Sequence, residues 1–162
     1  MSLLQKAKAY YIKVINSNGT PQGIALAVGI GIFIGCFLPI GTQTIPAILI
    51  AIVCRVDKLL TFAATWVCNQ YTVPFLYPVF CYTGSKVMGF GLTLPQIEKD
   101  IVAICKDFSW LELREMGYEL GVSFFVGGFI YGLILAIIGY FLVWYFIDRY
   151  RKRKKPFSNA RL

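Results

Sequence analysis

Three long hydrophobic runs without a charged residue dominate the chain: Ile24 to Val53, Leu59 to Tyr82 and Leu120 to Ile147. A helix crosses the hydrocarbon core of a bilayer with about 20 residues, so each run is long enough to span. The first lies in a wider stretch, Val14 to Cys54, that carries no charge at all. It starts too late and runs too long for a cleavable signal. Ahead of it the pattern differs. Leu3, Leu4, Ala7, Tyr10, Tyr11, Val14 and Ile15 alternate with lysines at helical spacing, which predicts an interfacial helix within 1–19.

Polar residues interrupt the first two runs at their centres. Thr20-Pro21 reads as an N-cap followed by proline at the first helical position, and the helix should run to about Leu38. Pro39-Ile-Gly-Thr-Gln-Thr44 then stops it, since proline lacks the backbone donor and clashes with the preceding turn. A second helix should start near Ile45 and end near Arg55-Val-Asp-Lys58. In the second run the interruption is Asn69-Gln-Tyr-Thr-Val-Pro74. Thr72-Val-Pro74 matches Thr44-Ile-Pro46 at an offset of 28 residues, and Lys86 matches Lys58 at the same offset, a weak internal repeat. Residues 20–91 are therefore read as two broken or re-entrant helical segments. Ala27, Gly31 and Gly35, with Ala25 and Gly29 beside them, form a stripe that lets another helix backbone come close.

An amphipathic connector is expected over 92–116. Thr93-Leu-Pro-Gln96 resembles a capping box, Ile97, Ile101, Ile104, Phe108 and Leu111 share one face, and Ser109-Trp-Leu-Glu112 is a second box. A transmembrane helix follows over 117–148, with small residues at Gly117, Gly121, Gly128, Gly132, Ala136 and Gly139. Trp144, Tyr145 and Tyr150 precede a basic tail over 149–162, the order expected at a membrane boundary. The fold class is thus an all-α integral membrane protein in a single membrane domain, 1–162.

Composition agrees: 57% of the 162 residues are hydrophobic and 15% charged, where soluble domains have about 25% charged. The net charge is +8, and its placement sets the topology. Both ends are basic, whereas Leu92 to Glu119 holds six acids against three bases. The positive-inside rule then puts both termini in the cytoplasm, with an even number of crossings. The basic Arg55–Lys58 loop favours the first run as a hairpin returning to that side, and the acidic connector would lie outside. The tail reads as a cytoplasmic anchor that feels anionic headgroups, with no specific nucleic acid as partner. The five cysteines, Cys36, Cys54, Cys68, Cys81 and Cys105, form no C-x-x-C pair and read as small buried apolar residues. There is no histidine, so the commonest general base is missing. No nucleophile–base pair and no metal set is visible, so no enzyme and no cofactor is expected.

Gly29-x-Gly-x-Phe-x-Gly35, Pro39, Gly41-x-Gln-Thr44, Arg55 and Thr65-Trp-Val-Cys-Asn69 with Thr72-x-Pro74 resemble the family called domain of unknown function 2062. The likeness runs from about Thr20 to Gly84, with a looser glycine-rich match in the last helix. The chain departs from the family pattern at Gln70, where proline is usual, and at Asp57, often asparagine. The resemblance implies a small bacterial inner-membrane protein, sometimes fused to a glycosyltransferase domain, and implies no activity.

Irregular backbone cannot face lipid, so the breaks must be buried in protein or line a wet cavity. Paired broken segments point to a transporter's binding site. Half-helices starting at Thr44 and Thr72 would aim N–H groups inward, favouring an anion. The candidate ligand-binding residues are Thr42, Gln43, Thr44, Arg55, Asn69, Gln70 and Thr72. The reading is a transporter or translocase of an anionic lipid or lipid-linked precursor. Asp57, Glu119 and Asp148 lie only at the edges of the runs, which argues against proton pumping. The alternative is a membrane scaffold or partner subunit of an envelope-biogenesis complex, whose glycine stripes meet a second copy or a membrane partner.

Overall fold

The computed structural model describes residues 19–106 and 117–154. The N-terminal interfacial helix, the box at 109–112 and the end of the tail lie outside them. Every regular element among the described residues is helical. Helix α1 is Pro21–Phe37, α2 Thr44–Val53, α3 Lys58–Ala64 with a 3-10 turn at Thr65–Val67, α4 Val73–Met88, α5 Leu94–Lys106 and α6 Gly117–Lys154.

The helix ends follow from local chemistry. Thr20 caps α1, its Oγ1 accepting from Gly23 N at 3.1 Å, with Pro21 next. Leu38 turns extended and Pro39 stops the helix. Asp57 caps α3, accepting from Leu60 N at 2.8 Å. Gly89 ends α4 in the left-handed region, φ 77°. Gln96 Oε1 accepts from Thr93 N at 3.2 Å, half of the expected capping box. Two further features stand out. Pro78 lies inside α4, buried, where it removes one ladder hydrogen bond. The first residues of the basic tail, Arg149 to Lys154, continue α6, because nothing after Ile147 breaks a helix before Pro156.

Helix α6 is the spine. At 38 residues it is about 57 Å long, and α1 and α4 both pack against it. Gly84 of α4 lies against the Ser123 carbonyl, and Gly127 of α6 lies against the Phe80 carbonyl. A Cβ at either glycine would overlap that oxygen. The two contacts are reciprocal and run in opposite directions, so α4 and α6 are antiparallel. Gly128 meets the Cys36 carbonyl, Gly132 meets Phe33, and Gly29 meets Ala136, so α1 is antiparallel to α6 as well. The neighbours Gly127 and Gly128 serve different helices, because successive residues point about 100° apart.

The stripe on α1 likewise divides. Gly29 faces α6, whereas Gly31 and Gly35 face Thr61 and Thr65 of the next segment. Those pairs advance together, so α1 and α3 run parallel. Thr61 and Thr65 are fully buried, and their hydroxyls donate back to Asp57 O and Phe62 O at 2.8 and 2.7 Å. That satisfies each hydroxyl locally and leaves backbone free to meet glycine. Helix α2 must then return from the end of α1 to its start, so α1 and α2 double back on each other. By contrast α3 and α4 run in the same sense, so the second break is a kink.

A buried cluster joins Cys36, Cys68, Val73, Phe80, Ile97 and Phe124. Outside it, large apolar side chains are exposed along α2, α4 and α6. Only 17% of the most apolar stretch of α6 is buried, and that helix is long and apolar enough to cross a membrane. Two buried side-chain atoms among the described residues lack a hydrogen-bond partner, Gln43 Oε1 and Ser123 Oγ. Replacing Ser123 by alanine is therefore expected to raise stability by about 1 kcal/mol. A lower unfolding midpoint for the alanine variant would count against this.

Candidate functional site

The first break is a tight turn. Pro39 O accepts from Thr42 N at 3.2 Å and from Thr42 Oγ1 at 2.9 Å. Gly41 takes φ +95°, a conformation glycine allows without strain. Gln43 precedes α2 without capping it. Its side chain is only 7% exposed, and its Oε1 has no hydrogen-bond partner. Thr44 is the first residue of α2.

The second break ties up its own polar groups. Asn69 Oδ1 accepts from Tyr71 N and Thr72 N at 2.8 and 3.1 Å, and Asn69 Nδ2 donates to Trp66 O at 3.2 Å. Thr72 Oγ1 accepts from Asn69 N at 2.9 Å and donates to Val67 O at 2.8 Å. These are the side-chain turns that Asn and Thr commonly form. Gln70 is exposed at the tip.

The breaks lie together. Cys68 Sγ is 3.4 Å from Cys36 Sγ, and Ile40 N donates to Tyr77 Oη at 3.2 Å. Sequence reasoning overlooked Tyr77, an aromatic in an apolar run whose hydroxyl alone hints at a buried partner. The cysteines also divide: Cys36, Cys68 and Cys81 are buried as expected, whereas Cys54 is exposed at the end of α2.

Arg55 is elsewhere. It joins α2 to α3 and lines a cleft of about 390 Å³ with Gly19, Thr20, Gly23 and Asp57. That is the opposite end of α1 from the breaks, about 25 Å away. Arg55 closes α2 in a Schellman turn: Arg55 N donates to Ile52 O and Val56 N to Ala51 O, at 3.2 and 3.0 Å. The left-handed position of this turn normally holds glycine. Here it holds arginine at φ 54°, which costs about 1–2 kcal/mol relative to glycine. Nothing in the sequence pattern signals that conformation.

The same end gathers positive charge. Arg151 Nη1 donates to Gly19 O at 2.7 Å, tying the end of α6 to the start of α1. Lys152 pairs with Asp148 at 2.8 Å, and Arg149 reaches Tyr145 one turn back. Along the middle of α1 and α6 a groove of about 440 Å³ opens between the two helices, with Leu26, Phe33, Ile50, Leu133 and Ile137 on its walls. Its walls are apolar throughout. The opposite end carries α5, packed against α4 with Ile97 and Ile101 buried.

Of the seven candidate residues, the structure brings Thr42, Gln43, Thr44, Asn69, Gln70 and Thr72 to the neighbouring breaks and leaves Arg55 a helix length away. Only Gln43 offers a buried atom still open to a partner. Among known proteins, residues 4–155 match the family described as uncharacterized protein conserved in bacteria (DUF2062). Comparison with curated proteins and with solved structures found no match.

Proposed function

Because the chain belongs to this uncharacterised bacterial family, we propose that it is a multi-pass inner-membrane protein that moves an amphipathic lipid or lipid-linked precursor past its paired helix breaks. In this reading α6 crosses the bilayer and α1–α2 is a re-entrant hairpin. The kinked α3–α4 unit makes the other crossing. The end that gathers Arg55, Arg151 and Lys152 faces the cytoplasm, in keeping with the positive-inside rule.

The observation that carries the proposal is Gln43. A buried, unpartnered amide oxygen is destabilising, by about 1–3 kcal/mol, and it sits where irregular backbone interrupts an apolar run. A lipid head bearing a hydroxyl would satisfy it whichever way the amide lies. A phosphate on the same head would face the start of α2. A scaffold would need small-residue faces left open for a partner. Gly29, Gly31, Gly35, Gly127, Gly128 and Gly132 instead lie against this chain's own helices. Gly128→Leu would therefore break the fold before it broke a partner contact.

The test is lipid movement in reconstituted vesicles carrying fluorescent phosphatidylglycerol, read by a quencher added outside. Gln43→Leu is expected to slow movement by a few-fold to about tenfold, the loss of one neutral hydrogen bond of about 0.5–1.5 kcal/mol in passage. The same variant should unfold no more easily than the wild type. Unchanged movement in Gln43→Leu would reduce the breaks to packing devices.

A further inference from the structure

We propose that the apolar groove between α1 and α6, with the Arg55 turn at its end, is a resident binding site for an anionic phospholipid. One acyl chain lies in the groove and the phosphodiester sits at Arg55. The inference shares the membrane placement proposed above but not the movement of lipid, and its headgroup site, at Arg55, lies at the other end of α1 from the breaks, while the groove runs along α1 as far as Ile34.

The groove and the basic cleft share no lining residue but come within about a turn of each other on two elements. On α1, Gly23 lines the cleft and Leu26, one turn on, lines the groove. On α2, Ile50 lines the groove and Arg55 lies just over one turn beyond it. An occupant in the groove therefore has its end presented to a guanidinium. The groove's 440 Å³ is within the usual range for a small-ligand site, and its walls offer nothing to a polar molecule. An acyl chain matches that wall.

Charge selects the head. Arg55 is exposed, and its side chain makes no ion pair or hydrogen bond among the described residues. Arg151 borders the same corner through Gly19. Two acids lie nearby: Asp57 lines the same cleft and turns one oxygen to the start of α3, and Asp148 pairs with Lys152. Arg55 also occupies a left-handed position where glycine would be easier, so a guanidinium is held there against the backbone's preference. A planar fork of donors suits a phosphodiester better than a zwitterionic head, whose own ammonium competes for the phosphate.

The full chain in neutral detergent tests this by thermal unfolding with dioleoylphosphatidylglycerol, dioleoylphosphatidylcholine or glycerol 3-phosphate. Phosphatidylglycerol should half-saturate at about fivefold lower concentration than phosphatidylcholine, the effect of one cation near a lipid surface. Glycerol 3-phosphate, a head without a tail, should do nothing. Arg55→Gly should fold at least as well as the wild type and lose the preference between the lipids, and Arg55→Lys should keep part of it. Ile137→Trp, which fills the groove from an exposed wall, should weaken both lipids. Equal response of the wild type to both lipids would overturn the site, as would a preserved preference in Arg55→Gly. Stabilisation by glycerol 3-phosphate alone would make it a soluble-anion site instead. Loss of transport in Gln43→Leu with this preference intact would separate the two proposals.

Discussion

Alanine at Gly84 or at Gly127 is expected to cost about 3 kcal/mol of stability, the upper range for overpacking a fitted interface. Each new methyl would overlap a carbonyl oxygen of the facing helix, Ser123 in one case and Phe80 in the other. Backbone cannot swing away as a side-chain tip can, so α4 and α6 must separate along their whole crossing. With both helices in lipid, as proposed, that separation has no hydrophobic penalty of its own. It forfeits close packing, which is the main attraction between helices there. The two substitutions should not add, because the first opens the space that the second would fill. Gly121→Ala is the control: nothing lies within 4 Å of its added carbon. It should raise stability by up to about 1 kcal/mol through helix propensity. Denaturant or thermal unfolding of the three variants in one detergent decides the matter. Equal tolerance of alanine at all three positions would mean that α4 and α6 do not touch as described.

The second large effect is covalent. Copper-phenanthroline with oxygen should join Cys36 to Cys68 within one chain, removing two hydrogens, which the oxygen takes up. The sulfurs are 3.4 Å apart, so they need to close by about 1.4 Å to reach a disulfide bond length. Cys54, exposed at the end of α2, should react first with a water-soluble maleimide, whereas Cys36, Cys68 and Cys81 stay protected. Peptide mapping after oxidation reads the link directly. A crosslink that forms only between chains, or not at all, would place the two breaks apart and remove the geometric basis of the proposed lipid pathway.

Much of the helix map was legible in the sequence because its causes are local. Thr20-Pro21, Pro39 and the Thr-x-Pro restarts at 44–46 and 72–74 each act within one turn, and helices start or stop beside all of them. Direction was hinted at only by charge, through the basic Arg55–Lys58 loop that favoured a hairpin in the first run, and not by the repeat. The 28-residue echo covers two unlike devices, a hairpin and a kink, and its matched lysines fall at the start of α3 and near the end of α4. What distinguishes them is whether Gly31 and Gly35 meet Thr61 and Thr65, a tertiary fact. The glycine stripes announced close approach but not which residue meets which helix, so Gly29 and Gly31 look alike in sequence and face different neighbours. The candidate site divides the same way. Polar residues in an apolar run were easy to find. Asn69 and Thr72 satisfy themselves within five residues, whereas Gln43 does not, and only the folded backbone separates the cases.

The dependence of α1 on α6 carries a consequence for how the chain is made. Phe33 must wait for Gly132, which leaves the ribosome about 100 residues later, an interval of about 5–20 s at ordinary elongation rates. Through that interval Gly29 and the Cys36 backbone have no partner from this chain. Helix α1 has 17 residues and α2 has 10, each short of a full crossing. The α1–α2 hairpin is therefore synthesised before the element that holds it exists. A nascent chain halted before α6 would expose this stage. Cysteines placed at positions 33 and 132 should crosslink only after the last helix has emerged.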